Sequence, residues 1–140
     1  MCKVNKEAVK TLFKPFPEPD GHMQYDLYKQ TILDAINFNN DDQHFKAYVP
    51  DELNKVWKKE TIVKFLKADE VDKIEFIDEE MDCDDHARIL FGRGLPLIWT
   101  FNHAMNWFID PDGVLWYVEP QTDKISATLE GIHMRFMIGV

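Results

Sequence analysis

The sequence predicts a single α+β domain, with helices in its first part and an antiparallel sheet in its second part. Its 140 residues suit one domain. Apolar residues recur at helical spacing from residue 25, whereas aromatic and β-branched residues dominate after Leu97. Helices and strands segregated in this order are typical of α+β proteins. We therefore divide the chain into an extended segment, 1–24, a helical part, 25–92, and a sheet part, 95–140.

The helical part is predicted to begin with three helices. Residues 13–22 hold three prolines, so we expect an extended loop before the first helix. An amphipathic helix is expected over 25–37, followed by a polar loop over 37–43. Asp51 follows a proline and suits the N-cap of a short second helix. A third helix is expected over 60–67.

The end of the helical part carries the most specific local signal. Residues 73–77 alternate apolar and charged side chains, which indicates a short strand. Asp82 then suits an N-cap, and Asp85 occupies the capping-box position three residues later. The resulting helix would begin at Cys83 and end at Gly92, because glycine readily adopts the left-handed conformation of a helix end.

The sheet part is predicted to contain a β-hairpin and a final strand. Residues 97–109 and 114–118 are rich in aromatic and β-branched side chains, and the turn sequence 110–113, Asp-Pro-Asp-Gly, lies between them. Residues 132–138 alternate in the manner of a last strand.

The turn sequence also predicts the register of this hairpin. A three-residue loop pairs Asp110 with Val114, so that His103 lies opposite Gln121 with Glu119 as its diagonal neighbour. A two-residue loop would shift the register by one and turn both polar side chains to the other face. Proline at the second turn position and glycine at the fourth favour the three-residue loop.

Charge and hydropathy exclude several classes of protein. The net charge of −9 opposes binding to nucleic acid and to anionic membranes. The first residues lack the apolar run of a secretory signal, and no stretch is apolar enough to span a bilayer, so we expect a cytoplasmic protein. The two cysteines, Cys2 and Cys83, do not suggest a disulfide framework.

Cys83, His103, Glu119 and Gln121 form the candidate site. A thiolate is favoured at the first turn of a helix, where Cys83 is predicted to lie. A histidine on the hairpin can take and return a proton, and a carboxylate or amide can orient its ring. The predicted register does not choose between Glu119 and Gln121 for that orienting role.

Three short blocks of the chain resemble a known enzyme family. They are similar to the papain-like cysteine-protease domain attached to a fungal agglutinin, and to small phage and bacterial proteins related to it. The resemblance covers about residues 48–125 and rests on Asp82-Cys83-Asp84-Asp85-His86-Ala87, His103-Ala104-Met105-Asn106-Trp107 and Glu119-Pro120-Gln121-Thr122.

This resemblance implies a papain-like fold and a cysteine peptidase or amidase that cleaves through a thioester. Cys83 would be the nucleophile, His103 the base and Glu119 the orienting group, and Gln121 would hold the oxyanion or assist orientation. The substrate would be a peptide or protein. No cofactor would be required, although the fungal relative resembles a calcium-dependent enzyme, so calcium is a possible cofactor without assigned ligands.

Two alternatives remain open at this point. The chain is alternatively a non-enzymatic module that keeps the scaffold and binds a protein partner. It is alternatively a metal-binding domain with zinc on Cys83, His86 and His103, although the absence of a CxxC pair weakens this interpretation. The substrate and the oligomeric state do not follow from the sequence.

Overall fold

The computed structural model describes residues 16–38, 46–129 and 134–140. Four parts of the prediction lie outside these residues: Cys2, the start of the proline-rich stretch, most of the predicted loop over 37–43 and the start of the predicted last strand. The elements, in chain order, are β1 Gly21–Gln24, α1 Tyr25–Phe38, β2 Lys46–Tyr48, β3 Leu53–Val56, α2 Lys59–Ala68, a 3₁₀ turn Val71–Lys73, α3 Cys83–Arg93, β4 Leu97–Thr100, β5 Ala104–Ile109, β6 Leu115–Glu119, β7 Lys124–Ser126 and β8 Met134–Ile138.

The main sheet has six strands in the order β2-β8-β4-β5-β6-β7, and β1 and β3 form a separate two-stranded sheet. All neighbouring pairs of the main sheet are antiparallel except β2 and β8, which are parallel. The α+β class is therefore confirmed. The expected division into a helical part and a wholly antiparallel sheet part is wrong in detail, because β1, β2 and β3 come from the first half of the chain.

Helices cover both faces of the main sheet. Because successive strand residues point to opposite faces, one face of the β5–β6 hairpin carries Trp107 and Tyr117, and the other carries Phe108 and Val118. The first set shares a buried cluster with Tyr28, Ile32 and Ile36 of α1. The second set shares a cluster with α2 and α3 residues, including Phe65, Leu66 and Leu90. The sheet thus lies between two apolar layers, and its β5 strand is buried along its whole length.

The predicted helices over 25–37 and 60–67 are confirmed as α1 and α2. In α1 the buried residues Tyr28, Ile32 and Ile36 follow one another at four-residue intervals, which places them on one stripe. In α2 the buried residues are Ile62, Phe65 and Leu66. Apolar periodicity therefore identified both helices correctly.

The short helix predicted after Asp51 is wrong, because these residues form strand β3. Asn54 and Val56 are buried while Leu53 and Lys55 are exposed, which is the two-residue period of a strand. The strand is paired with β1 in antiparallel register. Asn54 also donates from Nδ2 to the carbonyl oxygen of Asp51 at 2.9 Å, which ties down the turn before the strand.

The short strand predicted over 73–77 is also wrong. The 3₁₀ turn ends at Lys73, and Ile77 makes only an isolated bridge to Met81. Ile74 and Phe76 are exposed, so the apolar side chains of the alternating pattern do not pack against the core. The alternation was short enough to arise without a strand.

Helix α3 starts as predicted and ends later than predicted. Asp82 is its N-cap, and the capping box with Asp85 is present. The helix continues through Gly92, and Gly94 forms the cap with φ 126°. A Cβ on Gly94 would lie 3.1 Å from the ring of Phe16, whereas one on Gly92 would meet nothing within 4 Å. Glycine is therefore required at residue 94 and not at residue 92.

We expect opposite effects from alanine at these two glycines. Gly92→Ala should raise the free energy of unfolding by about 0.5–1 kcal/mol, because alanine is the better helix former. Gly94→Ala should lower it by about 1–3 kcal/mol, because the left-handed conformation is strained for alanine and Phe16 must move. Urea denaturation of both variants checks the assignment, and equal effects would contradict it.

Candidate functional site

The turn at residues 110–113 sets the geometry of the β5–β6 hairpin. Asp110 is buried, and its Oδ1 accepts from the backbone amides of Asp112 at 2.9 Å and Val114 at 3.0 Å. Its backbone N–H donates to the carbonyl oxygen of Val114 at 3.0 Å. Gly113 has φ 82°, which favours glycine. Ile109 pairs with Leu115, so the register predicted for a three-residue loop is confirmed.

A second turn, absent from the prediction, positions His103. Residues 97–109 form two strands, β4 and β5, instead of the single expected strand. The backbone N–H and the hydroxyl of Thr100 both donate to the carbonyl oxygen of His103 at 2.8 Å. This tight turn leaves Phe101 and Asn102 exposed at its tip. The main chain of His103 is thus held by Thr100 directly before β5 begins.

The structure brings His103 and Glu119 together. The ring Nε2 of His103 lies 2.5 Å from Oε2 of Glu119, and the two side chains are 25% and 20% exposed. Oε1 of Glu119 accepts from the backbone N–H of Gln121 at 3.3 Å. Glu119 therefore contacts the imidazole, and Gln121 supports Glu119 through its main chain. With Nε2–H donating to Glu119, Nδ1 of the neutral ring is an acceptor.

Cys83 lies at the first residue of α3, a helix that packs against β4 and β5. Its side chain is half-buried and packs against the apolar cluster of Ala87, Leu97 and Ala104. Within the described parts of the chain, no hydrogen bond joins the Cys83 thiol to His103. Cys83 thus shares an apolar cluster with Ala104, the residue next to His103.

Three carboxylates surround the start of α3. Oδ1 of Asp82 accepts from the backbone N–H of Asp84, and Oδ2 of Asp85 accepts from that of Asp82, each at 3.2 Å. Arg88 forms ion pairs with Asp84 and Asp85. A hydrogen bond between the side chains of Asp82 and Asp84 lowers the pKa of Asp82 and raises the pKa of Asp84.

The same carboxylates are the one group among the described residues with the spacing of a metal site. Ligand oxygens of Asp82, Asp84 and Asp85 lie within 4.8 Å of one another. All three already cap the helix or pair with Arg88, and clusters of exposed acids are common without a metal. The possible use of calcium stays a prediction.

His86 is a buried structural residue. It is 1% exposed, and its Nδ1 lies 2.8 Å from the carbonyl oxygen of Asp82. Its Nε2 lies 3.0 Å from the carbonyl oxygen of Ile74. Because carbonyl oxygens only accept, both contacts are hydrogen bonds only when both ring nitrogens carry protons. Neither nitrogen is left for zinc, so this geometry does not support the proposed zinc site on Cys83, His86 and His103.

Three cavities lie elsewhere on the molecule. One of about 350 Å³ lies between α1 and the hairpin, one of about 280 Å³ lies between the start of α2 and the hairpin turn, and one of about 200 Å³ lies between α1 and β2. None of these three includes Cys83, His103 or Glu119.

No described helix has the length and apolar content needed to cross a bilayer.

Comparison with known proteins finds similarity in structure only. No protein-family model and no curated protein matches the chain. A solved structure described as "PSL1a-E64 complex" has a TM-score of 0.73 and 22% identity, over 84% of this chain. The Polyporus squamosus lectin bound to the human-type influenza-binding epitope Neu5Aca2-6Galb1-4GlcNAc has a TM-score of 0.69 and 22% identity, also over 84%. This chain spans about half of each solved chain, 51% and 49%.

These comparisons correct the enzyme interpretation. The resemblance to a papain-like cysteine protease was wrong, because the similar solved structures belong to a lectin. The predicted cysteine peptidase or amidase, with its peptide substrate, is overturned by the same finding. At 22% identity the similarity itself shows the fold alone.

Replacement of His86 is expected to destabilise the fold. His86→Ala removes both ring contacts, to the carbonyl oxygens of Asp82 and Ile74, and creates a cavity, so the free energy of unfolding should fall by about 2–4 kcal/mol. His22→Ala is the matched control, because His22 is exposed on β1. Urea denaturation measures both, and a loss no larger than that of the control would contradict the structural role.

Asp123, in the turn after β6, predicts a pH dependence of stability. Burial, followed by repulsion from Asp72, raises its pKa from 3.8 to about 6. Ionisation is thus harder in the folded chain, so this residue lowers stability as pH rises from about 4 to 6. Asp123→Asn removes the charge and tolerates the φ of 59°.

The Asp123→Asn variant should have a higher Tm than the wild-type protein at pH 7 and an unchanged Tm at pH 3.5. Asp51→Asn, at an exposed site, is the matched control and should change neither value. The same shift at both pH values would contradict the role of the Asp123 charge.

Proposed function

We propose that this chain is a non-enzymatic binding module. Its ligand would contact a surface formed by Phe101, His103, Glu119 and Gln121 and bordered by Cys83, which we call the His103 surface. The bond of 2.5 Å between His103 and Glu119 is the observation that carries this proposal. It holds a half-exposed polar pair in one orientation before any ligand arrives, which reduces the entropy lost on binding.

Both ends of the pair are supported by the fold. His103 is held by the two bonds from Thr100, and Glu119 is held by the main chain of Gln121. Glu119 is the last residue of β6 and His103 directly precedes β5, so the buried sheet helps to position both side chains. Such a rigid site selects a ligand by shape and hydrogen bonding without any chemical step.

The chemistry of the surface suggests a polar ligand with some apolar area. His103 and Glu119 offer an acceptor and a carboxylate to hydroxyl, amide or ammonium groups. Phe101 is 69% exposed at the neighbouring turn and offers apolar contact. The net charge of −9 favours an uncharged or cationic ligand over an anionic one.

The structures that share the fold support a binding role. One was solved as a complex with the compound named E64, and the other is a lectin bound to a sialylated glycan. Because this chain spans about half of each, either ligand could belong to the part that has no counterpart here. Both compounds are therefore useful probes for this chain, and neither is an assigned ligand.

Binding should depend on His103. Isothermal titration of the chain with each probe should give saturable binding of at least one of them, and His103→Ala should weaken that binding at least about tenfold, as expected for a lost hydrogen bond to a charged pair. Glu119→Gln should weaken it less, because the amide still contacts the ring. His22→Ala is the control and should leave binding unchanged.

Two results would contradict the proposal. The first is that neither probe binds. The second is that binding persists unchanged in His103→Ala while circular dichroism shows that the variant is folded. In either case the His103–Glu119 pair is a structural hydrogen bond and not part of a ligand site.

A further inference from the structure

A loop that precedes α3 holds three large apolar side chains in solvent. Ile74, Phe76 and Ile77 are 39%, 52% and 45% exposed. They lie within residues 74–81, which we call the acidic loop, and this loop shares no residue with the His103 surface. Exposed apolar groups that are rimmed by charged residues are typical of contact surfaces.

The acidic loop has a defined conformation in spite of its exposure. Ile77 and Met81 exchange two backbone hydrogen bonds, of 3.0 and 2.7 Å, across a tight turn in which Glu79 has φ 62°. At the start of the loop, the carbonyl oxygen of Ile74 lies 3.0 Å from Nε2 of the buried His86. The fold thus presents the apolar side chains to solvent, and a partner meets them without first ordering the loop.

The charge of this region favours a cationic partner. Residues 74–85 include seven acidic residues and no lysine or arginine. The flanking cations, Lys73 and Arg88, already form ion pairs with other acidic side chains. An occupant of the acidic loop therefore needs apolar side chains and a net positive charge.

Residues 1–15 of the same chain have this composition. They hold four lysines and one glutamate, and their apolar residues include Val4, Leu12 and Phe13. Because they are covalently linked to the acidic loop, their effective concentration there is on the order of 1 mM. This link favours them over a second copy of the chain in dilute solution.

The point where these residues join the described structure lies within reach of the acidic loop. The ring of Phe16 packs edge-on against Trp57 and Phe65, beside Gly94 at the end of α3. The acidic loop lies at the other end of this 11-residue helix, about 16 Å away along its axis. Fifteen residues span up to about 50 Å, so residues 1–15 cover this distance without full extension.

We propose that residues 1–15 bind the acidic loop of the same chain. Their lysines would lie against the exposed acids, and their apolar side chains would cover Phe76 and Ile77. Because exposed ion pairs are individually weak, the contact depends on the apolar area as well as the charges. Salt should weaken it by screening the charges.

Carbodiimide crosslinking of the full chain tests this contact, because the reagent joins a lysine amine to a carboxylate only where the two groups touch. A mixture of ¹⁴N and ¹⁵N protein at about 5 µM separates links within one chain from links between chains. Mass spectrometry should map amide links within one chain that join Lys3, Lys6 or Lys10 to the acidic loop. Their yield should fall at least about threefold in about 0.5 M salt.

Two pairs of variants test the specificity of these links. Phe76→Ser removes exposed apolar area and should lower their yield at least about threefold, whereas Leu27→Ser, at a 59% exposed residue of α1, should not. Glu75→Lys reverses one charge of the loop and should also lower the yield, whereas Glu52→Lys, at an exposed residue before β3, should not.

Three results would overturn the proposal. The first is that the lysines link evenly to exposed acids over the whole chain, or to none. The second is that the links to the acidic loop join only labelled to unlabelled copies. The third is an unchanged yield within one chain in folded Phe76→Ser and Glu75→Lys.

Discussion

The turn centred on Asp110 is the constraint on which the geometry of the β5–β6 hairpin depends. Its Oδ1 accepts two backbone amides and thereby closes a three-residue loop, which fixes the register of β5 against β6. That register brings His103 to Glu119 at one end of the hairpin. Its Oδ2 accepts the indole N–H of Trp116 at the other end. A slip of one residue would turn every side chain of β6 to the other face and remove both arrangements.

Local sequence chemistry predicted the parts of the fold that local interactions decide. The apolar stripes of α1 and α2, the capping box at Asp82 and the hairpin turn involve residues a few positions apart, so their patterns are visible in the sequence. Strand β3 was missed because its pairing with β1, more than 25 residues earlier, outweighs local helix signals. The parallel pairing of β2 with β8 is likewise invisible locally, because paired residues such as Lys46 and Phe136 are 90 positions apart in the chain.

The candidate site was predicted in its geometry and not in its chemistry. Turn chemistry placed His103 near Glu119, and the structure has them in contact. Short motifs then suggested a thiol nucleophile, but Cys83 packs against an apolar cluster with acids at its helix start. The role of His86 was missed, because its two carbonyl partners depend on how residues 74–82 fold back onto α3. A Thr-Phe-Asn-His turn at residues 100–103 was the available signal for the break between β4 and β5.

The most direct test of the account asks whether the chain cleaves peptide bonds. The wild-type chain and Cys83→Ser are incubated with a mixed peptide library and casein, with and without calcium, and products are measured by mass spectrometry. A non-enzymatic module gives no new products from either protein, at any pH from 4 to 9. Products formed by the wild-type chain and absent with Cys83→Ser would contradict the account, because they would require the thiol to act as a nucleophile.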